Sequence, residues 1–176
     1  QYYVELSANE SLYKAVLAYS QTNDAHALSK NRKRFLESEL RDFKHSGLGL
    51  SVDKQEKLKE IQNQLSELSM NFENNITSHV DTMFIPEELM AGLPDDYKQE
   101  RYQPDGSYAI DLSYPSFYAF MENAESDSIR KLLRYKFLNK AMPDNLLILN
   151  DIIALRKMYS EILGYSSYAA YAIEEG

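Results

Sequence analysis

The chain contains no cysteine and no tryptophan among its 176 residues. Without cysteine there can be no disulfide, no thiolate metal site and no cysteine nucleophile. No apolar run approaches the length of a membrane span, and the first residues lack a signal-peptide pattern. An excess of positive charge is missing too. The formal net charge is −8, and the basic residues are spread among acidic ones. Phosphate binding needs a concentrated positive field, so this balance argues against nucleic acid as a partner. The six glycines and five prolines are scattered as punctuation. They mark no flexible linker, and no fixed-period repeat supports a solenoid. What is present is ordinary for one soluble globular domain: 44% hydrophobic and 26% charged residues. A chain of this length buries roughly 70% of its unfolded surface, enough for a core without staples.

Residues 53–80, DKQEKLKEIQNQLSELSMNFENNITSHV, hold neither glycine nor proline. Their apolar positions are Leu58, Ile61, Leu65, Leu68, Phe72, Ile76 and Val80, with polar residues between. That spacing predicts one long amphipathic helix with a narrow apolar stripe, about 40 Å long. Upstream, Ser7 and Glu10 have capping-box spacing ahead of a first helix carrying Leu12, Val16 and Tyr19, which the polar run QTND at 21–24 ends. A second helix is predicted over residues 29–46 with Phe35, Leu36, Leu40 and Phe43 on its apolar face, capped by Gly47. Ser51 and Asp53 suit the start of the long helix. The short connection makes these two helices antiparallel neighbours, an αα-hairpin.

Beyond Val80 the period changes. Pro86 is placed to open a short helix through Ala91, stopped by Gly92. Tyr108, Ile110 and Leu112 alternate with Ala109, Asp111 and Ser113, which predicts a strand. Its expected partner is residues 83–85, because the residues ahead of the Asp105-Gly106 turn make a poor strand. Helices follow from Pro115, from Ser126 or Asp127, and from Asp144 or Asn145 to Gly164, with a last short one from Ser166 or Ser167. The expected fold class is therefore mainly α: a helical lobe with a long antiparallel αα-hairpin and a small two-stranded β-ribbon, as a single segment over residues 1–176.

Motifs of chemistry are absent. His26, His45 and His79 have no metal-binding spacing and read as solvated or hydrogen-bonded side chains. No phosphate loop or nucleophile elbow is present, and Gly47-Leu48-Gly49 lacks the rest of any nucleotide fingerprint. The carboxylate pairs Glu87-Glu88, Asp95-Asp96 and Glu174-Glu175 read as helix-end or turn charges. No catalytic, cofactor-binding or metal residue is assigned.

Several segments together resemble the thimet oligopeptidase and oligopeptidase A family of zinc metallopeptidases. They are Arg34-Phe35-Leu36-Glu37 with residues 40–48 (LRDFKHSGL), residues 66–76 (SELSMNFENNI), and residues 88–94 (ELMAGLP). In the third, one extra residue, Met90 or Ala91, stands before the glycine. Residues 108–115 (YAIDLSYP), Leu155-Arg156 and residues 163–169 (LGYSSYA) complete the set in the family's order. Lys140 stands near where the family often has an arginine, and residues 99–105 show no clear match.

The resemblance implies a zinc-dependent endopeptidase that cuts short peptides in a channel between two helical lobes. Its His-Glu-x-x-His helix is not in this sequence. The chain then reads as an excised part of the N-terminal lobe, forming channel wall or roof, inactive by itself and binding no zinc. Its partners would be short peptides, as substrates of the whole enzyme, and the remainder of the same chain, with no nucleic acid or membrane. The expected compartment is cytoplasmic, with organellar or periplasmic placement left open. The alternative is a non-catalytic helical module for a protein or peptide partner. The fragment reading also predicts apolar faces left uncovered on the last helices.

Overall fold

A computed structural model describes residues 9–174. The described elements are α1 (Glu10–Ser20), α2 (Asn23–His26), α3 (Lys30–His45), α4 (Val52–Thr77), β1 (Thr82–Ile85), a 3-10 turn (Glu87–Leu89), α5 (Asp95–Arg101), β2 (Tyr108–Asp111), α6 (Tyr114–Asn123), α7 (Asp127–Leu138), α8 (Asp144–Ile162) and α9 (Tyr168–Ala172). The mainly α class with one two-stranded antiparallel sheet is as expected. Contacts gather into two compact units. One holds the described residues up to Leu68 and from Asp151 onward, and the other is Ser69–Asn150. Both α4 and α8 contribute residues to each.

In the first unit the helix starts follow local chemistry. Asn9 Oδ1 accepts the Leu12 N–H at 3.0 Å and caps α1. Ser7, expected to do so, lies outside the described residues. The polar run after α1 is more ordered than a turn. Thr22 Oγ1 accepts the Ala25 N–H at 3.2 Å and opens the single helical turn of α2. At the other end of α3, Gly47 has φ +85°. Its N–H reaches Lys44 O and the Leu48 N–H reaches Phe43 O, both at 3.0 Å. This pair of hydrogen bonds is a Schellman cap, which requires a left-handed residue at Gly47.

The expected connection between α3 and α4 is present, but the stripe of α4 has another cover. Leu58 and Ile61 are buried with Tyr159 and Leu163 from α8 and the loop after it, with Leu65, Leu155 and Ile162 packed alongside. Gln62 Nε2 donates to Tyr159 Oη at 3.0 Å at the edge of this seam. The backbone of α3 also approaches α1. Helix α4 ends at Thr77, three residues short of the expected limit, and Val80 is 90% exposed.

The second unit is built on the ribbon. β1 and β2 pair antiparallel with Met83 opposite Ile110 and Ile85 opposite Tyr108. Those four side chains are buried, while Phe84 and Asp111 face away. The period of two thus sets one apolar face. Leu93, Tyr97, Phe117, Phe120 and Leu133 cover it from the following helices and loops. Upstream of the Asp105-Gly106 turn there is a single bridge, between Tyr102 and Tyr108, rather than a strand. The helix expected from Pro86 to Ala91 is only a 3-10 turn. Helix α5, which pattern reading did not predict, follows Pro94 with Asp95 and Asp96 in its first turn. The buried Asn145 is satisfied by α4: its Nδ2 donates to Phe72 O, and its Oδ1 accepts from Asn75 Nδ2, both at 2.9 Å.

Candidate functional site

The three histidines do not come together. His26 is exposed on α2, and His79, after α4, accepts the Ala141 N–H at Nδ1 over 3.4 Å. His45 ends α3, where its Nε2 lies 2.8 Å from Glu174 Oε2 and 2.9 Å from Tyr165 Oη. A zinc ion needs several such donors converging at about 2 Å on one point. Among the described residues no group of three or more histidine or carboxylate side chains is so placed. The side chains here do not fit the zinc site that the resemblance implies for the family. Glu87-Glu88 and Asp95-Asp96 stand in the first turns of the 3-10 helix and α5, at the positive ends of those dipoles. Glu175 lies outside the described residues.

The cluster around His45 is the most reactive-looking arrangement in the first unit, and its chemistry is that of a tie. Tyr165 Oη donates to Glu174 as well as meeting His45. Burial, then the bond to Glu174, pushes the Tyr165 phenol well above its ordinary range. The Glu174 carboxyl is held low, chiefly by the Tyr165 hydroxyl and further by His45 and Lys44. Lys44 Nζ sits 4.1 Å from the Tyr165 ring centre. Tyr171 is pushed up by burial and by its bond with Tyr159, and Tyr159 Oη donates to His45 O at 3.4 Å. A general acid or base works best when its pKa lies near neutral pH. Here the phenols move away from that range on one side and the carboxyl on the other, so the network fastens the end of α3 to α9 and its flanks.

Open clefts offer the remaining possibilities. In the second unit, a cleft of about 510 Å³ is lined by His79, Asp81, Asp111, Tyr114 and Lys140 among others. Lys140 Nζ donates to Leu112 O and lies 4.3 Å from the Phe137 ring centre. Burial lowers its pKa, with Asp111 opposing. In the first unit, an apolar groove of about 630 Å³ runs between α1 and α3, past Leu12, Val16, Leu36 and Phe43. Phe35 lines it at 66% exposure. A second, polar groove of about 950 Å³ follows another face of α3 past Lys30, Lys33, Arg34, Glu37, Ser38 and Arg41 to Glu174. The sequence reading missed this face. The signal was the helical spacing of those cations within one predicted helix, hidden by the scatter of charge along the chain.

These clefts and ties describe a helical scaffold, and comparison with known proteins shows what the chain is similar to. The chain is homologous over nearly its whole length to the oligopeptidases, proteins named oligopeptidase A, thimet-like oligopeptidase and saccharolysin. It is 30% identical to the thimet-like oligopeptidase of Dictyostelium discoideum over 97% of this chain and 26% of that protein. It is 29% identical to oligopeptidase A of Haemophilus influenzae, over 98% of this chain and 28% of that protein. With saccharolysin of Saccharomyces cerevisiae the identity is 29%, over 96% of this chain and 25% of that protein. The chain therefore spans about a quarter of the length of the curated relatives it matches. No model of a known protein family matches it.

Proposed function

We propose that this chain is part of a zinc-dependent metalloendopeptidase that hydrolyses short peptides. In this reading its two units form wall or roof of a channel between helical lobes and carry none of the metal chemistry. The observation that carries the reading is the match to oligopeptidases along at least 96% of the chain, in proteins about four times as long. Exposed apolar side chains on α8, among them Leu147 at 65% and Ile153 at 57%, fit a helix that further chain would cover. No helix among the described residues is long and apolar enough to cross a membrane. One relative is named a probable cytosolic oligopeptidase A and another an organellar one, so a cytoplasmic site is the reading adopted and the organellar one its rival.

The test is made on the full-length protein. It is expected to hold one zinc per chain and to cleave short peptides, but not folded proteins, in a manner abolished by a chelator and restored by zinc. Full activity after complete removal of metal would refute the metallopeptidase reading. A full-length protein with neither zinc nor hydrolysis would favour the non-catalytic helical module.

A further inference from the structure

The polar groove along α3 carries charge that nothing described in the structure neutralises. Lys30, Lys33, Arg34 and Arg41 fall at helical spacings on one stripe of α3, and all four line the groove. Among the described residues, none of them makes an ion pair with a carboxylate. The ion pairs present involve other cations, such as Lys44 with Glu174. Arg41 is only half satisfied. Its Nη2 donates to Ser38 Oγ at 3.2 Å, while its Nε has neither solvent exposure nor a partner among the described residues. Two carboxylates share the lining, Glu37 and Glu174. Glu174 is already engaged by Tyr165, His45 and Lys44. In a chain whose formal net charge is −8, four cations on one helix face with no ion pair among the described residues form a local field of opposite sign. Such a field selects a partner by charge.

We infer that this face of α3 is a binding surface for an acidic peptide segment, through Lys30, Lys33, Arg34 and Arg41. The dimensions select the occupant. From Lys30 to Arg41 the helix rises about 16 Å at 1.5 Å per residue. That is too long for one phosphate or one carboxylate, and it matches about five residues of extended peptide at roughly 3.3 Å each. The volume of about 950 Å³ is likewise too large for a single small anion. Arginine forks bind carboxylates in bidentate fashion, so Arg34 and Arg41 supply directional contacts and the two lysines supply field. The inference concerns binding and stands whether or not the whole protein is a peptidase.

The test is fluorescence anisotropy of a labelled oligoglutamate peptide with the full-length protein, against a labelled oligoglutamine peptide of equal length. The oligoglutamate is expected to bind at least tenfold more tightly at low salt. The preference should collapse when ionic strength is raised to about 0.5 M, because the contacts are screened within a few ångström there. The double variant K33A/R34A should lose at least tenfold in affinity for oligoglutamate. The variant K54A/K59A, which removes two exposed lysines of α4 away from the groove, should bind as the parent does. R34K, a milder change that keeps the fold and the charge, should lie between. Equal affinity for the two peptides would overturn the inference. So would equal losses in K33A/R34A and K54A/K59A, which indicate attraction without a site. Tighter binding of a single-stranded oligonucleotide than of oligoglutamate would overturn it as well. Since the readout is binding, a negative result leaves the peptidase reading intact, and an inactive enzyme leaves this one intact.

Discussion

Replacing Gly92 by alanine tests whether close approach, and not conformational freedom alone, holds the second unit together. Gly92 has φ +84°, where a residue with a Cβ is disfavoured by about 1–2 kcal/mol. A Cβ at this position would stand 2.2 Å from the Asn123 carbonyl oxygen and 3.0 Å from Glu125 Cγ. The first distance lies far inside the roughly 3.5 Å at which non-bonded contacts become attractive. The opposing atom is backbone at the end of α6, so no side-chain rotation relieves the overlap. Next to it, the Glu125 N–H donates to Ala91 O at 3.0 Å. Separating the two strands of loop would therefore sacrifice that bond, about 1 kcal/mol net. Together these terms predict a loss of about 3–5 kcal/mol for Gly92→Ala. Gly106→Ala is the control. Its φ is +85°, but nothing lies within 4 Å of the added Cβ, so only the backbone cost of about 1–2 kcal/mol applies. In urea unfolding, a gap of about 2 kcal/mol or more between the variants should separate their midpoints by roughly 1 M at equal slope. Midpoints for the two variants that coincide would refute the close-approach argument.

Two further substitutions probe other links. Leu133→Ala empties a fully buried position on α7 and should cost about 2–5 kcal/mol. Its neighbour Leu132 is 45% exposed, so Leu132→Ala should cost under about 1 kcal/mol; equal losses in thermal or urea unfolding would contradict the assigned face of α7. Tyr108→Phe addresses pH. Its bond to Glu87, aided by burial, pushes the Tyr108 phenol up to about 12. Because the folded pKa is raised, the stabilisation it brings is complete below the unfolded value near pH 10 and is lost as pH climbs toward 12. Unfolding midpoints should therefore fall less for Tyr108→Phe than for the parent between about pH 9 and about pH 11. A parallel fall in both would refute the linkage.

Much of the fold could be read from local pattern, for reasons visible in particular residues. Gly47 ends α3 because a Schellman cap is set by neighbours in sequence, while Ser29 stands at the N-cap position without a side-chain cap bond. The pairing of residues 83–85 with the strand from Tyr108 followed from the alternation after Tyr108 and from the poor strand pattern ahead of the Asp105-Gly106 turn. Helix α5 was missed because its residues, DDYKQER, carry one large apolar side chain, Tyr97. Its burial against Ser116 O, which accepts from Tyr97 Oη at 2.9 Å, is a long-range fact. The family was legible as well, since its segments are short local strings. The basic face of α3 was less so, because alternating signs along the chain conceal a stripe until the helix is wound.

By itself, the sequence determined the mainly α class, the long apolar stripe of α4, the ribbon and the relationship to oligopeptidases. All of these depend on spacings of one to four residues or on short motifs. Only the tertiary structure decided what lies against the stripe. Leu58 and Ile61 meet Tyr159 and Leu163, about a hundred residues away, and periodicity shows that a face must be buried without naming its partner. The same holds for His45, whose hydrogen-bonding neighbours Tyr165 and Glu174 lie more than a hundred residues further along the chain. It holds again for the four cations of α3, which become one groove when the chain around them has folded.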